Sequence, residues 1–154
     1  MQGEEMYSII EFLKTGQLGR IVLGISLEDF ELIAGVPDDV SISKKPMIYK
    51  YGSFQFSFSK TKGNQYHLST VHLYITDEIV KHDRFYISDM IPNVYGNQEI
   101  LFPHLQRSGV MLQKDPRHTI KGLQEGFITQ GGVVLIFSIE GNEKKLISMH
   151  KGCI

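Results

Sequence analysis

The sequence predicts an α+β fold of two helix-helix-antiparallel-sheet repeats, with the helices packed on one face of a curved sheet. Three observations lead there. Two helical stretches near the amino end show apolar residues on one face, and two more helices are expected in ILFPHLQRSG and in DPRHTIKGLQEGF. Between and after them the pattern switches to a two-residue period, the mark of strands with one buried face. One phrase is also written twice, FSKTKGNQYHLSTVH from Phe58 and FSIEGNEKKLISMH from Phe137. Phe137 follows Phe58 by 79 positions, whereas Gly141, Asn142, Leu146 and His150 follow Gly63, Asn64, Leu68 and His72 by 78. One deletion in the hairpin loop reconciles the two offsets. A period of about half the chain is what a duplicated unit leaves; two hairpins converging on Gly-Asn turns and Phe-rich strands are the alternative. The expected units are 1–92, the first helix-helix-sheet repeat, and 93–154, a shorter second one, fused into a single compact body.

The elements follow in order. Met6, Ile9, Ile10 and Leu13 form a helical stripe, with Glu4 and Glu5 at its positive end, Lys14 near its negative end and Gly16 as C-cap. RIVLGI reads as extended. In SLEDFELIAGVP, Ser26 is the N-cap and Leu27, Phe30, Ile33 and Ala34 the buried face; Gly35 ends the helix and Pro37 prevents its return. MIYKYGSFQFSFS then alternates as strand, KTKGNQ is a hairpin loop and YHLSTVHLYIT the returning strand. RFYIS reads as a further strand, and Pro92, Asn93, Gly96 and Asn97 punctuate a linker between the halves. ILFPHLQRSG predicts a short helix broken or begun near Pro103. DPRHTIKGLQEGF predicts another, with Asp115 as N-cap and Pro116 at the first helical position. TQGGVVLIFSIEGNEKKLISMHK closes the chain as a second hairpin.

Composition narrows the function. Across 154 residues the formal net charge is −1, which lacks the basic footprint of a nucleic-acid module. The lone Cys153 allows no disulfide within the chain. Acidic residues stand where a secretory leader carries basic ones, and no apolar run approaches the ~20 residues of a membrane span. A cytoplasmic protein without membrane contact is the expectation.

GISLEDFELIAGVP, Gly24 to Pro37, resembles the helix motif of the small outer-membrane assembly lipoproteins, the SmpA/OmlA group: Gly, an apolar residue, Ser or Thr, a helix, then Gly-x-Pro. The aromatic strand IYKYGSFQFSF follows where that motif places one. The same helix-helix-sheet unit used twice in tandem is the architecture of the β-lactamase inhibitory proteins. The resemblance covers roughly residues 24–58 and implies a fold. No lipobox cysteine is present, the second half lacks a clean copy of the motif, and no inhibitor's binding residues carry over. GVPDD with KKPMIYKYG also resembles, more weakly, small bacterial immunity proteins of toxin systems.

Little chemistry is written in the chain. Asp38 and Asp39 are adjacent carboxylates after a helix, a pattern that more often makes a solvated turn than an acid-base pair. The six histidines, His67, His72, His82, His104, His118 and His150, form no helical metal-binding pair and have no cysteine spacing beside them. The Gln-Gly-Gly stretch at 130–132 reads as a strand entry, not a phosphate cradle. Lys60, Lys62, Lys144 and Lys145 charge the hairpin tips. No metal and no cofactor are expected.

Strand parity then sorts the faces. Phe54, Phe56 and Phe58 align with Val133, Leu135 and Phe137 toward the helices, joined by Val71, Leu73 and Ile75. Gln55, Ser57, Ser59, Ser138, Thr70, His72, Tyr74, Ser148 and His150 take the outward face. Small polar groups with Tyr and His make a partner-binding surface. The candidate contact residues are Ser57, Thr70, His72, Tyr74, Ser148 and His150, with Asp38 and Asp39 beside them. The function expected is that of a non-enzymatic immunity or inhibitor protein, neutralising a bacterial toxin or enzyme effector domain by occlusion. The alternatives are a phage or mobile-element protein that binds a host defence factor, and a small enzyme using His72 and His150.

Overall fold

The structure, a computed structural model, describes residues 5–42, 46–60, 63–75, 85–89 and 95–152. The elements run β1 (Glu5–Tyr7), α1 (Ile9–Thr15), α2 (Leu27–Ala34), β2 (Asp39–Ser41), β3 (Met47–Tyr51), β4 (Phe54–Lys60), β5 (Tyr66–Tyr74), β6 (Phe85–Ile87), α3 (Gln98–Arg107), β7 (Leu112–Lys114), a 3₁₀ turn (Pro116–His118), β8 (Gln124–Thr129), β9 (Val134–Glu140) and β10 (Glu143–Gly152). Eight strands form one antiparallel sheet in the order β2-β3-β4-β5-β10-β9-β8-β7, and β1 pairs with β6 in parallel.

This corrects the predicted fold. Strand outweighs helix, the sheet is open, and the helix-helix-sheet unit is not repeated. The segment 115–127 accounts for the difference. Asp115 does cap Pro116, accepting from the Arg117 backbone N–H at 3.1 Å, but the turn stops at His118. Thr119 and Ile120 are β-branched and resist helix, and Gly122 at φ +79° turns the chain back. Gln124–Thr129 then pairs with β9 as a strand. What recurs is strand alone: β2 to β5 and β7 to β10 are each four-stranded meanders, meeting at β5 and β10.

Other elements shift by less. Met6 lies in β1, opposite Tyr86, and not in a helix. Helix α1 begins after Ser8, whose hydroxyl accepts from Glu11 N–H. The Asp89 carboxylate accepts from the Ile9 and Ile10 N–H groups at 2.6 and 3.1 Å, satisfying donors that a helix start leaves open. RIVLGI forms turns around a single bridge between Leu18 and Ile21. Helix α3 runs through Pro103 from its N-cap Asn97. Helix α2 keeps its predicted cap and stop, Ser26 and Gly35. Residues 92 and 93 of the predicted linker, with Glu4, Lys62, His82 and Cys153, lie outside the described residues.

The core sits between the sheet and the helices. Phe30 of α2 places its ring 4.9 Å from both Phe56 and Phe58, and Phe102 of α3 lies 4.9 Å from Phe127. Phe54, Val71, Leu73, Val133, Leu135 and Phe137 are buried with them, as strand parity predicts; Ile33 is half-buried. Gln130–Gly132 is a turn packed against α1, where a Cβ on Gly131 would come within 2.7 Å of the Leu13 carbonyl oxygen. Among the described residues, no helix is long and apolar enough to cross a membrane.

Candidate functional site

Two surfaces collect the chemistry. The first is the sheet face away from the core, at the β5–β10 seam. Antiparallel register places His72 opposite His150 and Tyr74 opposite Ser148, while Ser57 and Gln55 of β4 lie opposite Thr70 and His72. Six of the predicted contact residues are therefore brought together: Ser57, Thr70, His72, Tyr74, Ser148 and His150. Their exposure is not as predicted. Thr70, Ser148 and His150 are buried, with His150 only 2% exposed, and Ser57 and His72 are half-buried. Only Tyr74 is open, at 40%. A two-residue period says which face a side chain takes, and not whether another segment lies across that face.

Part of the cover is the 3₁₀ turn. Gly126 of β8 lets it approach, since a Cβ there would stand 2.5 Å from the His118 Cβ. The His118 ring consequently lies 5.1 Å from that of His150, which is 5.5 Å from His72, which stacks on Tyr74 at 4.2 Å. Behind His118, the buried Asp115 carboxylate accepts from Nδ1 at 2.8 Å through one oxygen. Its other oxygen accepts from Arg117 N–H and Nε–H. Sequence reasoning found Asp115 as a cap but missed its hold on His118. The spacing carried that signal, because residues three apart eclipse in a 3₁₀ turn.

Burial shapes the protonation of these groups. It pushes the Asp115 carboxyl up, but the hydrogen bonds from His118 and Arg117 outweigh it and hold the group below its ordinary value. A carboxylate only accepts, so it is the Nδ1 of His118 that donates in this contact. Burial lowers His72. It lowers His150 to about 4, helped by repulsion from His72 and His118 and opposed by Asp115. The His72 Nε2 and His150 Nδ1 atoms are buried without a hydrogen-bond partner among the described residues. Among those residues, no three His, Cys, Asp or Glu side chains are placed to share a metal ion.

The second surface is the sheet edge at β2. Asp38 and Asp39 are exposed there, three strands from β5, and do not join the histidine cluster. Asp39 belongs to an edge strand and not to a solvated turn. The loop is tied down: Asp38 accepts from Gly52 N–H at 2.7 Å, and Tyr51 O–H donates to the Gly35 carbonyl at 2.7 Å. Tyr49 O–H donates to Glu31 at 2.6 Å, and burial followed by the Glu31 bond pushes that phenol up to about 12. Glu28, Asp29 and Glu31 of α2 are exposed as well. Residues 28–42 hold five carboxylates and no Lys or Arg. In the same segment Leu32, Val36 and Ile42 are 76%, 86% and 74% exposed. At the β9–β10 hairpin, Lys144 pairs with Glu125 at 3.0 Å and Lys145 with Glu140 at 3.9 Å.

No family model, no curated protein and no solved structure matches this chain.

Proposed function

We propose that the chain is a non-enzymatic binding protein of the immunity or inhibitor kind, which occludes a basic toxin or enzyme domain through its α2–β2 edge. The observation that carries this reading is the segment 28–42. Large apolar side chains left in water beside five carboxylates suit an interface whose apolar groups give affinity and whose charges give steering. Among the described residues no strand pairs with the outer side of β2, which leaves backbone groups at the same edge. The sheet face serves less well as a contact centre, because His150, Thr70 and Ser148 are already covered.

The test is calorimetric titration of the full chain with the product of the adjacent gene, at low and high salt. Binding should weaken as salt rises, since exposed charges are screened. The Asp38→Asn/Asp39→Asn double variant should bind about tenfold more weakly, chiefly through slower association. Unchanged affinity in that variant and in Val36→Ala would move the interface elsewhere. Turnover of a substrate by the purified chain, abolished in His118→Gln, would replace the binding reading with an enzymatic one.

A further inference from the structure

Within the sheet, the two meanders are joined by one strand pair, β5–β10, over five residue pairs from Ser148↔Tyr74 to Gly152↔Thr70. The middle pair is His72 and His150. Seams of this kind are commonly closed by apolar or hydrogen-bonded pairs. Here two imidazoles face each other at 5.5 Å, and each keeps a buried nitrogen without a hydrogen-bond partner among the described residues.

The surroundings suit the neutral rings only. From β5 come His72 and Tyr74, from β10 His150, and from the 3₁₀ turn His118 with Asp115 and Arg117. Gln55 of β4, opposite His72, is uncharged, and Val134 of β9, opposite His150, is apolar. Asp115 is the only carboxylate among these groups, and both of its oxygens are committed to His118 and Arg117. A proton added to His72 or His150 is therefore buried beside other imidazoles with no free counter-charge among the described residues, which disfavours the closed state.

We propose that this imidazole cluster makes the seam an acid-opened joint: proton uptake by His72 and His150 separates β5 from β10 and parts the sheet into its two meanders. The direction follows from linkage. A histidine whose folded value lies below its unfolded value of ~6.5 changes nothing above that pH. Below it the unfolded chain takes the proton first, and stability falls until the folded value is passed. For His150, at about 4 when folded, the window is roughly pH 6.5 to 4. By pH 5 the folding equilibrium constant should have dropped about ten- to thirtyfold from this residue alone.

Hydrogen exchange on the full chain at pH 7 and pH 5, corrected for intrinsic rates, tests the joint. Protection should fall first in β5 and β10, and the His72→Gln/His150→Gln variant should lose most of that acid response. Should the variant fail to fold, nitrogen shifts of the imidazoles in the wild-type chain decide the matter: both rings should remain neutral at pH 6 while the strands are protected. Exchange that rises first elsewhere would overturn the proposal. So would an undiminished acid response in the variant, or a ring that charges near pH 6.5 with the seam still closed.

Discussion

Asp115 shows how much one buried carboxylate can organise. It caps the 3₁₀ turn through one oxygen and fixes the His118 ring through the other, so it sets what covers His150. Asp115→Ala should cost about 1–3 kcal/mol, a lost cap plus an imidazole left without its acceptor. Because the folded carboxyl lies below its ordinary value, its contribution is present above ~pH 4 and is lost as the pH falls through the folded value. Urea unfolding at pH 7 and pH 3 checks both statements; equal wild-type and mutant midpoints at pH 7 would contradict them. Phe58 is the simpler case, its buried ring wedged against Phe30 and Tyr49. Phe58→Ala should cost roughly 3–5 kcal/mol, and a loss below ~1 kcal/mol in the same experiment would contradict its place in the core.

At the scale of elements, the sequence was readable where local rules agree. Ser26 and Gly35 bound α2 because cap and stop lie in the residues themselves, and Phe54, Phe56 and Phe58 declare their face by alternation. It was not readable where a long-range partner decides. Asp115-Pro116 is a good helix start, yet the strand β9 claims Gln124–Thr129 and leaves a single turn. Met6 fits a helical stripe, yet β6 takes it as a strand, 80 residues away at Tyr86. No local sequence signal marks Gly152, although β10 depends on it where β5 bulges at Ser69. With φ +119°, a Cβ there would lie 2.1 Å from the Ser69 carbonyl oxygen. Gly152→Ala should therefore destabilise by roughly 1–3 kcal/mol and loosen the seam first. Thermal unfolding with exchange at β5 and β10 would show this, and an unchanged midpoint would mean the strands do not approach so closely. By contrast, Leu32→Ala on the exposed face of α2 should leave stability within about 0.5 kcal/mol.

The molecule as a whole is two meanders sharing one seam, with an acidic apolar edge at one end. The doubled phrase did mark the two hairpins, β4–β5 and β9–β10, and it placed His72 and His150 at matching positions that the seam brings face to face. The phrase did not extend to the helices, and nothing in its residues could show that the outward face would be covered. Parity reasoning treats every polar face as wet, and the burial of Thr70, Ser148 and His150 shows that this one is not. Net charge hid the edge as well: −1 over the chain averages away five carboxylates within residues 28–42. The most direct test of that edge is a hydrogen-exchange footprint of the full chain with the adjacent gene's product bound. Protection gained across residues 28–42, with β5 and β10 unchanged, is the result this account predicts. Protection confined to residues 70–74 and 148–150, or no protection under saturating partner, would contradict it.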